Sequence, residues 1–192
     1  MTSRSTLLGP EAAAGPAFLR EAHGMSEWGR ATYGDPCREC GYDWSIAIPS
    51  AMDLVRSAPQ RYLALLDGRE GSEHGAGLAW SATGYVCHVA DNLRIWAERL
   101  AGAAQGGSSI VAAYDSDALA EARNYDSVAV EGALWSLRHA TEAWGVAVEW
   151  AQEQQVVLMH PERGSQTVND MVRNNSHDAH HHGWDIQRIL AG

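Results

Sequence analysis

The sequence predicts an all-α protein: a four-helix bundle with a long crossover between its second and third helices and an N-terminal extension. Four long segments repeat apolar residues at intervals of three and four positions, which is the pattern of a helix with one buried face. The connection between the second and third segments is much longer than the others. No segment alternates apolar and polar residues for long enough to predict a sheet.

The extension comprises residues 1–34 and the bundle comprises residues 35–192. Residues 1–34 are rich in Ala, Gly and Pro and only weakly periodic, which indicates a loosely attached arm with room for one short helix. The first bundle helix is expected to begin between Ser45 and Pro49, since proline is favoured in a first turn, and to run to Leu66. Pro59 should kink or divide this helix.

The second and third helices each carry a continuous apolar stripe. The second is expected over 79–100 and the third over 130–154, with a short helix at 117–123 in the crossover. The fourth is expected from residue 166 or 167 to residue 190. The stripes comprise Val86, Val89, Leu93, Trp96 and Leu100 in the second helix and Leu134, Leu137, Thr141, Trp144 and Val148 in the third.

The balance of charge restricts the classes of partner. The chain has 24 acidic and 14 basic residues, a net charge of -10, and no lysine, which argues against binding to nucleic acid. It has no apolar run near ~18 residues, no polybasic segment and no signal peptide, so no membrane association is expected. We therefore expect a soluble cytoplasmic protein. Its oligomeric state stays open, a homodimer included.

Cys37 and Cys40 form a Cys-x-x-Cys pair, which is half of a zinc site or a redox pair. No second such pair exists, and the odd total of 3 cysteines without a secretion signal indicates reduced thiols. A structural or incidental role is favoured over catalysis, although Cys-x-x-Cys motifs can lower a thiol pKa.

The C-terminal helix carries two candidate chelating pairs: His177 with His181, and Asp178 with His182. At roughly 100° of rotation per residue, the apolar residues of this helix place Asp178 and His182 on or beside the buried face. His177 and His181 fall on the solvated face. Because a buried carboxylate and imidazole need partners, a metal ion is expected between them. The pair His177 and His181 remains the alternative, as does a solvated histidine patch without metal.

His88 is the candidate third ligand. It lies at the border of the apolar stripe of the second helix. Alone, a histidine there is more often simply hydrogen-bonded than a ligand. Combined with an Asp-x-x-x-His pair on another helix, it would form a three-ligand site with open positions for water or substrate.

These motifs resemble the DinB-like metalloenzymes, also called the YfiT-like or thiol S-transferase superfamily, and within them the mycothiol-dependent type. The resemblance covers residues 35–192. It rests on Trp80-Ser, His88-Val-Ala-Asp91, Tyr125 and His177-Asp178-x-x-x-His182-x-x-Asp185-Ile186. In that family, one histidine of the second helix and two residues of the fourth bind a divalent metal at the open end of the bundle. The resemblance therefore implies His88, Asp178 and His182 as metal ligands and catalytic residues, with Asp185 orienting a ligand histidine or the bundle floor.

The activity that the resemblance implies is metal-dependent transfer of a low-molecular-weight thiol, such as mycothiol, to an electrophilic small molecule. Zn²⁺ is the expected ion, with Ni²⁺ or Fe²⁺ as alternatives. A metal lowers the pKa of a coordinated thiol and produces a nucleophile at neutral pH. Two other functions stay open: a metal-dependent hydrolase that uses activated water, and a non-catalytic helical stress protein that binds metal or a small ligand.

Overall fold

The computed structural model describes residues 27–192, and the expectations for residues 1–26 lie outside this range. The described chain folds into seven α-helices and one two-stranded antiparallel hairpin. The helices are α1 (Trp28–Tyr33), α2 (Ile48–Arg56), α3 (Ala58–Leu65), α4 (Ala82–Ala104), α5 (Ser116–Arg123), α6 (Val130–Glu153) and α7 (Val168–Ala191), and the strands are β1 (Val157–His160) and β2 (Gly164–Thr167).

A four-helix bundle forms the body of the structure, as predicted. α2 and α3 together occupy one position of the bundle, and α4, α6 and α7 occupy the other three. α6 packs between α3 and α4, while α7 packs between α4 and α2. The crossover 105–129 contains α5 and a 3₁₀ turn at Tyr125–Ser127. Within residues 27–192, every helix is too short or too polar to cross a membrane.

The first predicted bundle helix is divided at Ser57. α2 ends at Arg56, and α3 begins at Ala58 with Pro59 in its first turn. Proline has no N–H to donate, so it is tolerated at the start of a helix but not within one. Pro59 therefore begins a new helix instead of continuing α2.

The predicted stripes of α4 and α6 face the core. All five stripe residues of α4 are at most 1 % exposed, and in α6 only Leu134 is partly exposed. Trp96 and Trp144 are the two largest fully buried side chains among the described residues. The indole N–H of Trp144 donates to Asn175 Oδ1 of α7 at 2.9 Å, so this buried polar group has a partner.

The hairpin β1–β2 was not expected from the sequence. Each strand has four residues, which is too short for a period of two to be recognised. The strands pair from Val157 with Thr167 to His160 with Gly164, and Gly164 adopts a φ of 67° that favours glycine. The crossover adds to this small sheet at Ile110, which pairs with Met159. The hairpin leads directly into the start of α7.

Residues 28–46 form a layer over one side of α7, which we call the N-terminal layer. Cys37, Tyr42 and Trp44 make a small buried cluster there, separate from the main core. The layer packs tightly around its first helix: a Cβ atom on Gly29 would lie 2.3 Å from the indole of Trp44. Tyr42 anchors the layer to α7 through hydrogen bonds from its hydroxyl group, including one with Ser176.

Candidate metal centre

The two helices that carry the candidate ligands begin at well-defined N-terminal caps. Ser81 caps α4, its hydroxyl accepting from the backbone N–H of Gly84 at 3.1 Å. Thr167 and Asp170 form a reciprocal capping box at the start of α7. Each cap satisfies backbone N–H groups that have no partner inside the helix. Because each cap defines the first residue of its helix, it also defines the direction in which each histidine of that helix points.

His88 of α4 meets Asp178 and His182 of α7, and we call these three residues the open cluster. Asp178 Oδ1 lies 3.5 Å from His88 Nε2 and 3.5 Å from His182 Nε2. One donor atom from each residue lies within 4.8 Å of the others. Asp178 and His182 are four residues apart and therefore share a face of α7. The structure brings together the three residues proposed from the sequence.

Hydrogen bonds hold the ligand atoms in these positions. Asn92 Nδ2 donates to Asp178 Oδ2 at 2.8 Å, and Asn92 Oδ1 accepts from the hydroxyl of Tyr114 at 3.1 Å. The other oxygen of Asp178 is left to face the imidazoles. Asp185 Oδ2 lies 2.9 Å from His182 Nδ1, which places the N–H on Nδ1 and directs Nε2 towards Asp178.

Electrostatics in the open cluster favour a carboxylate beside a cationic group. Burial alone would raise the pKa of Asp178, but the imidazoles of His88 and His182 hold it well below its usual range. Burial likewise opposes charge on His182, yet Asp178 and Asp185 outweigh it and raise its pKa to about 9. A divalent cation fits this donor set, because two nitrogens and a carboxylate oxygen already converge around a position that favours positive charge.

The open cluster lies in the wall of a cavity of about 280 Å³. The indole of Trp80 stacks on the His88 ring at 4.7 Å. Two guanidinium groups also line the cavity, those of Arg99 and Arg163. Arg99 Nη1 and Arg163 Nε are buried without a hydrogen-bond partner among the described residues. Two cations with unsatisfied N–H groups make this cavity suitable for an anionic ligand.

His160 of β1 adds a neutral donor to the same cavity. Burial lowers its pKa, and Arg163 and Arg99 lower it further. Its Nδ1 accepts from the backbone N–H groups of Glu162 at 3.2 Å and Arg163 at 3.4 Å. The neutral ring therefore carries its proton on Nε2, which can donate a hydrogen bond.

The prediction that His177 and His181 face solvent is wrong. His177 is 5 % exposed, and the side chain of His181 is 13 % exposed. The helical wheel considered only the bundle core, whereas the N-terminal layer covers this second side of α7. Tyr33 and Trp44 pack against the His177 ring at 4.5 Å and 4.7 Å between centroids.

Cys37 and Cys40 lie beside those two histidines, and we call these four residues the closed cluster. One donor atom of each residue lies within 4.8 Å of the others. Both thiols are free. Burial raises the pKa of Cys40 to about 12 and lowers that of His177 to about 3, so in this structure the thiol and the imidazole are uncharged near neutral pH.

Asp91 and Tyr125, on which the family resemblance also rests, contact each other, and neither belongs to the open or the closed cluster. The hydroxyl of Tyr125 donates to Asp91 Oδ2 at 2.8 Å, and Arg94 and Arg123 also pair with this buried carboxylate. Asp91 therefore joins the 3₁₀ turn and α5 to α4. Its role is structural, since it holds the crossover against α4.

Sequence reasoning missed several cavity residues. Asn92 and Arg99 follow His88 by four and eleven positions, and at roughly 100° per residue they fall within about 40° of its direction on α4. A helical wheel of α4 could have found them. His160 and Arg163 had no such signal, because the hairpin that presents them was not predicted.

Comparison with known proteins gives one structural likeness. No protein-family model matches the chain, and none of the curated proteins matches its sequence. The fold is similar to that of YfiT from Bacillus subtilis, described as "a probable metal-dependent hydrolase with an unusual four-helix bundle topology". The TM-score is 0.58 at 17% sequence identity, over 75% of this chain and 84% of that chain. At this identity, the likeness establishes the bundle fold alone.

Proposed function

We propose that this protein is a metal-dependent enzyme, in which His88, Asp178 and His182 hold a divalent ion that activates a nucleophile against an anionic small molecule. The observation that carries the proposal is the position of the cluster: three convergent donor atoms lie in the wall of a cavity that also holds two arginines. Three protein ligands with a remaining open position are typical of catalytic zinc sites. Zn²⁺ is the first candidate ion, with Ni²⁺ or Fe²⁺ as alternatives.

Each cavity residue has a role in this proposal. A bound divalent ion would lower the pKa of a thiol or water molecule that reaches it. Asn92 holds the carboxylate of Asp178, and Asp185 holds the ring of His182, so both ligands are oriented before the ion binds. Trp80 covers His88 and excludes water from one side of the cluster.

The arginines define the class of substrate. The guanidinium groups of Arg99 and Arg163 would accept a carboxylate or a similar anion, with the Nε2–H of His160 as an additional donor. Burial lowers the pKa of Arg163, but a guanidinium stays protonated at neutral pH, so the cavity keeps its positive charge. An anionic group on the electrophile or on the thiol would therefore be bound close to the metal.

Thiol transfer is the first candidate reaction, because the motif residues resemble a superfamily of thiol S-transferases. Hydrolysis is the second candidate. It is favoured by the ligand set of two histidines and a carboxylate, which resembles that of zinc hydrolases, and by the description of YfiT.

Turnover with defined nucleophiles separates these candidates. Metal-loaded protein is incubated with a panel of carboxylate-bearing electrophiles, with and without mycothiol, bacillithiol or glutathione, and products are identified by mass spectrometry. A thioether that forms only with protein, metal and thiol supports transfer, and hydrolysis product without thiol supports the hydrolase. A metal-loaded protein that converts neither panel would be a binding protein, and the proposal of catalysis would be wrong.

A further inference from the structure

We propose that the closed cluster is a second metal site, in which Cys37, Cys40, His177 and His181 bind one structural Zn²⁺. Its ligands are distinct from those of the open cluster, so the proposal stands whether or not the protein is an enzyme. It concerns a layer of the chain that lies outside the four-helix bundle.

Spacing and distance both suit zinc. Structural zinc sites take pairs of cysteines separated by two to four residues and pairs of histidines separated by three to five, as in Cys37-x-x-Cys40 and His177-x-x-x-His181. Tetrahedral zinc with these ligands sets neighbouring donor atoms about 3.3–3.8 Å apart. Here the four donor atoms lie within 4.8 Å, and Cys37 Sγ is 3.9 Å from His181 Nδ1. The donor atoms would therefore need to approach one another by about 1 Å at most to reach the spacing of a tetrahedral zinc site.

The loop that carries the cysteines is already closed. The backbone N–H of Cys37 donates to Tyr42 O at 2.8 Å, and that of Gly41 donates to Cys37 O at 2.9 Å. Gly41 has a φ of 72°, a conformation that favours glycine. These bonds form a tight turn around Cys37 and Cys40, so zinc would bind thiols whose backbone is largely ordered in advance.

The environment of His177 supports the proposal independently. Its Nε2 is buried without a hydrogen-bond partner among the described residues, and the residue is only 5 % exposed. Such a buried polar atom is costly when unpaired. The aromatic rings of Tyr33, Tyr42 and Trp44 surround this imidazole and exclude water.

His181 is oriented as a metal-ligating histidine. Its Nδ1 faces Cys37, while its Nε2 lies 3.2 Å from Glu39 Oε2 and 3.7 Å from Asp185 Oδ2. Carboxylates on the far nitrogen of a ligand histidine fix its tautomer and raise its basicity. They leave Nδ1 as the nitrogen that would bind the ion.

The ligand count distinguishes this site from the open cluster. Four protein ligands fill a tetrahedral zinc ion and leave no position for substrate, which is typical of structural sites. Cys37 and His177 are buried, whereas Cys40 and His181 are partly exposed, so the site lies at the edge of the N-terminal layer. The ion would fasten the N-terminal layer to α7, because two ligands come from each.

Cobalt substitution tests this proposal in the full-length protein. Co²⁺ bound to thiolates gives a ligand-to-metal charge-transfer band in the near ultraviolet, whereas Co²⁺ bound only to nitrogen and oxygen does not. The wild-type protein should show this band, with one cobalt equivalent for each cluster. The Cys37→Ala/Cys40→Ala double variant should lose the band and one equivalent, while the matched variant Cys87→Ala should keep both.

Two results would overturn the proposal, and neither depends on how a variant folds. One is a wild-type protein that binds cobalt without the thiolate band. The other is a mass spectrum of protein isolated from cells that shows Cys37 and Cys40 joined as a disulfide, which would make them a redox pair. X-ray absorption at the zinc edge of the wild-type protein should instead show sulfur neighbours at about 2.3 Å.

Discussion

The open and closed clusters lie side by side on α7 but differ in donors, enclosure and origin. The open cluster joins α7 to α4 with nitrogen and carboxylate donors, in the wall of a cavity. The closed cluster joins α7 to the N-terminal layer with two thiols and two imidazoles, beneath aromatic rings. His177 and Asp178 are adjacent in sequence, so one step along the helix, about 100° of rotation, separates the two environments. The number of ligands and their surroundings, and not the density of histidines, therefore distinguish a candidate catalytic site from a candidate structural one.

Removing a ligand of the open cluster should have the largest effect. His182→Ala takes away a donor atom, and activity should fall by about a thousandfold or more, because the Lewis acidity of a metal is worth several kcal/mol. Elemental analysis should show loss of that cluster's metal, while the thiolate band of cobalt-loaded protein persists. His139→Ala on the surface of α6 is the control. If His177→Ala empties the catalytic metal and His182→Ala does not, the roles of the clusters are reversed.

Removing the two thiols of the closed cluster should lower the stability of the N-terminal layer more than the rate of the reaction. In Cys37→Ala/Cys40→Ala, the free energy that holds residues 28–46 against α7 should fall by about 4 kcal/mol. Hydrogen exchange over this segment should accelerate, while the bundle stays protected and the open cluster keeps its metal. Tyr33 packs against His177 and also lines the cavity, so KM should rise more than kcat falls.

A single carboxylate contacts both clusters. Asp185 Oδ2 is 2.9 Å from His182 Nδ1 and 3.7 Å from His181 Nε2. Asp185→Asn should weaken metal binding about 10- to 100-fold at each cluster, the usual cost of losing a partner of a ligand histidine. Competition with a chromophoric chelator measures both affinities, and Asp126→Asn, on the surface, is the control. An effect at only one cluster would show that the clusters are independent.

The cavity arginines should affect substrate binding without affecting metal. Arg163→Gln should raise KM for an anionic substrate about tenfold to a hundredfold, since a hydrogen bond to a charged group is worth about 1.5–3 kcal/mol. Metal content should stay at the wild-type level. An equal rise in KM for a neutral substrate analogue would mean that Arg163 supports the cavity wall and does not bind the anion.

The smallest effect concerns pH and sharpens the contrast between the clusters. Burial disfavours charge on His182, but Asp178 and Asp185 raise its pKa to about 9, so this ring carries a proton at neutral pH before metal binds. A metal must displace that proton. Its affinity for the open cluster should therefore rise about tenfold per pH unit below that pKa and level off above it. Titration calorimetry in buffers of different ionisation enthalpy should detect one proton released; no release would mean that His182 binds metal without having carried a proton.

The bundle and the open cluster could be predicted because helical periodicity encodes them. The stripes of α4 and α7 place His88, Asp178 and His182 towards each other, and the four-helix fold then brings the two helices together. The same periodicity failed for His177, since a helical wheel shows which faces of a helix are apolar but not which other segment covers them. Cys37 and His181 are 144 residues apart, and residues 28–46 have too little regular structure to indicate where they pack.

The hairpin is a second element that the periodicity of the sequence does not predict. Strands of four residues leave no measurable pattern, so the positions of His160 and Arg163 in the cavity depend on a turn that only the folded chain reveals. Functional side chains on short irregular segments are therefore the ones that sequence reasoning misses.

The contact between Gly29 and Trp44 gives the N-terminal layer a sequence signature of its own. A Cβ atom at position 29 would overlap the indole, so a larger residue there requires Trp44 to move, and glycine lets the layer pack as it does. Chains with this bundle fold could therefore be sorted by inspection of their sequences. Glycine eight residues before a Cys-x-x-Cys pair, followed by an aromatic residue at the place of Trp44, would mark those in which a second layer of chain encloses α7.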